Sequence, residues 1–95
     1  YESALFQVEQ LLLSTDEEIE KMSANTNYQD EAAEYEYQMM RSMNSELRWT
    51  YIYLLVQTER SEKALLQLKR YIGDEKYAHH KELAVALREK LEKNK

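Results

Sequence analysis

Glu75, His79 and Glu82 stand at i, i+4 and i+7, a spacing that lines three donors along one face of a helix. Two carboxylates and an imidazole so arranged could hold a divalent cation. Carboxylate-bridged sites in helical bundles, however, take Glu-x-x-His from two helices and two further glutamates, and no Glu-x-x-His occurs in this sequence. The three residues are therefore read as a solvated polar face, with no metal and no cofactor expected. His80 falls instead on the apolar side of the same segment, with Tyr77, Leu83, Ala84, Leu87 and Leu91. An imidazole there is expected to be partly buried and bonded to a tyrosine hydroxyl or a carboxylate, which makes His80 the candidate for a pH-sensitive contact. Ser14, Ser23, Ser42, Ser45 and Ser61 sit in helical or capping contexts, and both histidines share one segment, so a serine, histidine and acid arrangement has little basis. Among the carboxylates Glu36 alone projects toward Met40 and Met43, where a snorkelling side chain is expected rather than an acid of raised pKa. There is no cysteine and no glycine-rich phosphate loop. No catalytic residue, no enzyme activity and no small-molecule substrate are expected.

The elements that carry these residues follow from composition. The 95 residues include one glycine, Gly73, and no proline, while strong helix formers dominate, so the turn chemistry of a strand-rich fold is missing. A single all-α domain spanning residues 1–95 is expected. No apolar run approaches the roughly 20 residues needed to span a bilayer, so a soluble domain is expected, with the cytoplasm as the default compartment. The net charge of −5 divides unevenly. Residues 1–47 hold eleven acids and two bases, and residues 48–95 hold eleven bases and seven acids, so the halves attract each other. Overall acidity argues against nucleic-acid binding, which draws its free energy from neutralised phosphates.

Apolar periodicity predicts an antiparallel helical bundle of three or four helices, over about 2–24, 28–43, 46–72 and 75–92. Leu5, Val8, Leu12, Thr15, Ile19 and Met22 draw the first stripe, with a break at Thr15 as the alternative to one continuous helix. Residues 23–30 read as a loop, with the second helix starting near Tyr28. Asn44 and Ser45 either cap a third helix or are passed through, in which case 28–72 is one long helix. Gly73 reads as a left-handed C-cap and Asp74 as the N-cap of the last helix.

Residues 49–56, "WTYIYLLV", contain one polar residue. On a helix Leu47, Tyr51 and Leu54 point one way and Trp49, Tyr53 and Val56 nearly opposite, so two packing layers are required. Trp49, Tyr53 and Val56, with Met39, Met40 and Met43 beside them, are the candidate partner or dimer face, since flexible thioethers suit adaptable surfaces. The expected function is a non-enzymatic helical interaction or assembly module, an adaptor, chaperone or structural subunit that also self-associates, with a protein partner or a second copy as its ligand. Residues 53–71 also resemble a single tetratricopeptide repeat broken at 58–61, with Ala64 at the small-residue position and the repeat's glycine and proline absent. That resemblance implies a peptide-binding fragment with an open concave groove. A small immunity or inhibitor protein is a further alternative.

Overall fold

The computed structural model describes residues 2–24 and 31–93. They form four helices, α1 Glu2–Ala24, α2 Glu31–Gln57, α3 Ser61–Gly73 and α4 Lys81–Lys93. α1 has the expected extent and runs unbroken through Thr15, whose buried hydroxyl donates back to the Leu12 carbonyl at 3.0 Å. The expected loop over 23–30 begins later than its first residues, since Ser23 and Ala24 belong to α1; residues 25–30 and the helix start near Tyr28 lie outside the described residues.

Two boundaries differ from expectation. α2 passes through Asn44 and Ser45, and the chain breaks at residues 58–60, so neither a helix over 46–72 nor one long helix over 28–72 forms. The break is a Schellman turn. Glu59 adopts a left-handed φ of 61°, its N–H donates to the Val56 carbonyl at 3.1 Å, and the Arg60 N–H donates to the Leu55 carbonyl at 2.9 Å. The Thr58 hydroxyl donates to the Leu54 carbonyl as well, at 2.9 Å. The last carbonyls of α2 are thus satisfied without glycine. α3 does end at Gly73, but Gly73 is not left-handed; the following Asp74 has φ −95° and returns its N–H to the Tyr71 carbonyl. Asp74 therefore C-caps α3 and does not N-cap the last helix. Residues 74–80 form successive turns, and α4 begins at Lys81 rather than Glu75.

Each helix packs on its chain neighbours only: α1 on α2, α2 on α3, and α3 on α4. Side-chain pairs fix the directions. Glu2 meets Arg60 and Thr15 meets Asn44, so α2 is antiparallel to α1, while Arg48 meets Gln67 and Trp49 meets Tyr71, so α3 is antiparallel to α2. The result is an open stack with a radius of gyration of 14.6 Å, against about 12 Å for a compact domain of this length. α2 lies between α1 and α3 and supplies the centre of the core: Ile52 and Leu55 have no exposed surface, nor has Leu68 of α3. This placement accounts for the two apolar directions of residues 47–56. Trp49 and Val56 pack against the core of their own chain, whereas Tyr53 stays 53% exposed.

Candidate functional site

Because α1 and α3 both run antiparallel to α2, they lie parallel to each other on either side of it, with no backbone contact between them. A groove remains. Its floor is the α2 row Arg41, Asn44, Arg48, Tyr51 and Leu55, spaced by three and four and therefore on one helix face. At one end it opens into a cleft of about 560 Å³, walled by Asp16, Ile19 and Glu20 of α1 and by Arg70, Gly73 and Asp74. The other end holds a depression of about 220 Å³ among Glu2, Phe6 and Glu9 of α1 and Arg60 and Lys63 at the start of α3. The α1 wall is thus acidic, and the other is basic apart from Asp74, which pairs with Arg41.

Arg48 stands at the centre and is only 5% exposed. Its guanidinium donates to Asp16 at 2.8 Å, to the Gln67 amide oxygen and, at 3.5 Å, to the Asn44 amide oxygen. Asn44 donates in turn to the Thr15 hydroxyl at 2.8 Å and to Asp16 at 2.9 Å. Burial pushes the Arg48 pKa below the usual arginine value while Asp16 works against the fall; a guanidinium keeps its charge regardless. Every buried side-chain nitrogen and oxygen among the described residues has a partner, so the floor is fixed before any ligand arrives. Toward the open end of the cleft Arg41 pairs with Asp74, donates to the Tyr37 hydroxyl at 2.9 Å and lies 4.8 Å from the Tyr77 ring. Burial opposes the charge of Arg41, but the bonds to Asp74 and Tyr37 outweigh it and raise its pKa. The bond from Ser23, more than that from Arg41, lowers the pKa of Tyr37 against the effect of burial.

Ion pairs cross the groove where packing does not. Arg60 donates to both carboxylate oxygens of Glu2 at 3.1 Å, and Arg70 lies 4.0 Å from Asp16. The Glu2 to Arg60 bridge is solvent-exposed and worth at most about 1 kcal/mol, so it can open. Tyr51 on the floor has its pKa raised, first by burial and then by the charge of its acceptor Glu9.

The candidate interface residues do not form one surface. Met39 and Met43 are exposed on the outer face of α2 with Tyr35, at i, i+4 and i+8, and Tyr53 points the same way near the helix end; Met40 is half-buried. Trp49 is stacked between Tyr71 and His80, with ring centroids 5.3 Å apart in both pairs. His80 lies just before α4 rather than within it. Its backbone N–H, not its imidazole, donates to the Tyr71 hydroxyl at 2.9 Å, and its Nε2 lies 3.6 Å from a Glu46 oxygen, so the ring faces a carboxylate without the expected bond to it. Burial raises the pKa of Tyr71, the bond from His80 opposes the rise, and Glu46 adds to it. Glu75, His79 and Glu82 are not on one helical face because the helix starts after His79; Glu75 accepts from Lys81 instead, which lowers its pKa. Among the described residues no group of three or more His, Asp or Glu is placed to hold a metal ion. Glu36 is exposed, and no described helix is long and apolar enough to cross a membrane.

Asp16, Asn44, Arg48, Arg60 and Arg70 were not candidates on sequence grounds. The signal for them was Arg48, which interrupts the buried row of Asn44, Tyr51, Ile52 and Leu55 and therefore had to find a carboxylate. No protein-family model, curated protein or solved structure matches the chain.

Proposed function

We propose that the chain is a non-enzymatic protein-binding module that receives a segment of another polypeptide in the groove between α1 and α3. The observation that carries this reading is the gap itself: two parallel helices flank α2 without backbone contact, and weak ion pairs span the space above their shared core. A floor whose polar groups are already satisfied gives a ligand a rigid surface and spares the ordering cost of binding. Stacks in which each helix contacts only its neighbours characteristically present such extended surfaces. The likeness of residues 53–71 to a tetratricopeptide repeat supports the same reading, since the chain breaks at 58–60 and Ala64 is fully buried.

Peptide-library selection on the immobilised chain tests it, with Lys63→Glu/Arg70→Glu as the counter-target. Selected peptides are expected to bind the chain and to be lost on the counter-target. Failure to select any, or equal binding to both, would sink the reading.

Self-association is a second reading, supported by the exposed row of Tyr35, Met39 and Met43, with Met39 56% exposed. Light scattering across a dilution series should then show a dimer that Met39→Lys/Met43→Lys converts to monomer. A wild-type monomer at every concentration excludes it.

A further inference from the structure

We infer that the groove recognises an extended peptide whose acidic and basic side chains alternate. This rests on the peptide-groove reading and specifies its ligand. The α1 wall presents Glu9 and Glu20, neither of which has a cationic partner among the described residues. Opposite them stand Lys63, which forms no ion pair among the described residues, and Arg70, whose side chain is 56% exposed and reaches Asp16 only at 4.0 Å. Glu9 and Lys63 line the smaller depression, and Glu20 and Arg70 line the larger cleft. Each end of the groove therefore has one acid with spare acceptor capacity on the first wall and one base with spare donors on the second.

A strand-like peptide lying along the groove sends successive side chains to opposite walls, because its side-chain period is two. Bases at every second position then meet α1, and acids at the intervening positions meet α3. The floor from Arg41 to Leu55 spans fifteen residues, roughly 21 Å of helix from first to last, which matches about six residues of extended chain. A uniformly basic peptide gains on one wall what it loses on the other, and so does a uniformly acidic one. A helical ligand fits less well, since acids and bases on opposite helix faces need a period near 3.6 in a channel that two helices already flank.

Fluorescence anisotropy with capped eight-residue peptides tests this, using alternating Lys-Glu against a block of four lysines followed by four glutamates. The alternating peptide is expected to bind about tenfold more tightly, with the difference shrinking in high salt. Glu9→Lys/Glu20→Lys reverses both unpaired charges of the α1 wall, whose remaining acids Glu2 and Asp16 are already paired with Arg60 and Arg48, and is expected to switch preference to an all-glutamate peptide. The fourfold exchange Glu9→Lys/Glu20→Lys/Lys63→Glu/Arg70→Glu should restore the alternating preference, because a shift of one residue exchanges the walls that the side chains meet. Helical circular dichroism and melting temperature confirm that each variant folds. Equal binding of alternating and block peptides overturns the inference, as does an unchanged preference in Glu9→Lys/Glu20→Lys. If library-selected peptides bind while the alternating peptide does not, the inference fails and the peptide-groove reading stands.

Discussion

Replacing Arg48 by methionine keeps most of the side-chain volume and removes the guanidinium that joins the floor of the groove to α1 and α3. The bonds to Asp16 and Gln67 disappear, and the buried Asn44 amide oxygen loses its donor. A hydrogen bond to a charged group is worth about 1.5–3 kcal/mol, and an unpaired buried acceptor costs about 1–3 more. Two effects reduce the sum. The Asp16 side chain is 29% exposed and keeps its bond from Asn44, so water and that amide take over part of the lost contact. The desolvation of the guanidinium also vanishes with it. Arg48→Met is therefore expected to cost about 2 kcal/mol. Asp16→Ala should cost more, about 3 kcal/mol, because it strands a nearly buried cation. With both changed, neither stranded charge nor broken pair remains, and the total should stay near 3 kcal/mol instead of reaching about 5. Urea unfolding followed by Trp49 emission and far-ultraviolet ellipticity measures each corner of the cycle. Additive costs, or Asp16→Ala milder than Arg48→Met, would refute the claim that this pair organises the floor.

Backbone strain gives the next pair of outcomes. Glu59→Gly relieves a left-handed conformation worth about 1–2 kcal/mol at a chain-entropy cost of about 0.4–1, so urea unfolding should show a gain of about 0.5–1 kcal/mol. Gly73→Ala should also stabilise, by about 0.5–1 kcal/mol, since Gly73 is not left-handed and a Cβ there meets nothing within 4 Å. In alkali, Tyr51 and Tyr71 hold their protons above the ordinary tyrosine pKa of 10.0, largely through burial. The unfolded chain releases those protons first, so their contribution to stability is complete below pH 10 and is lost as pH rises through the folded pKa values. Melting temperature and tyrosinate absorbance should move together over that range; a melting temperature flat beyond pH 10 would contradict the burial of these hydroxyls.

Much of the fold was legible from spacing alone. The stripe from Leu5 to Met22 defined α1 because its register survives Thr15, whose hydroxyl bonds within the helix. The two apolar directions of residues 47–56 called for two packing layers; Trp49 and Val56 do join the core, but Tyr53, assigned to the same face, stays exposed. The α2 to α3 break was hidden because a Schellman turn normally advertises itself with glycine, and here Glu59 occupies that position. Gly73 misled in the opposite sense: it ends a helix without using its conformational freedom. The groove was legible only as a charge imbalance. Attraction between an acidic first half and a basic second half becomes, in three dimensions, Glu2 with Arg60 and Asp16 with Arg48 and Arg70. Periodicity could not reveal that Glu2 with Arg60 and Asp16 with Arg70 cross an open space, because that depends on α1 and α3 taking opposite sides of α2.

Amide chemical-shift mapping of the isotope-labelled chain with a selected or alternating peptide tests the central claim most directly. Shifts are expected along Arg41, Asn44, Arg48, Tyr51 and Leu55 and on both walls at Glu9, Glu20, Lys63 and Arg70, with Tyr35, Met39 and Leu83 unmoved. Shifts centred on Tyr35, Met39 and Met43 with a silent groove would contradict it.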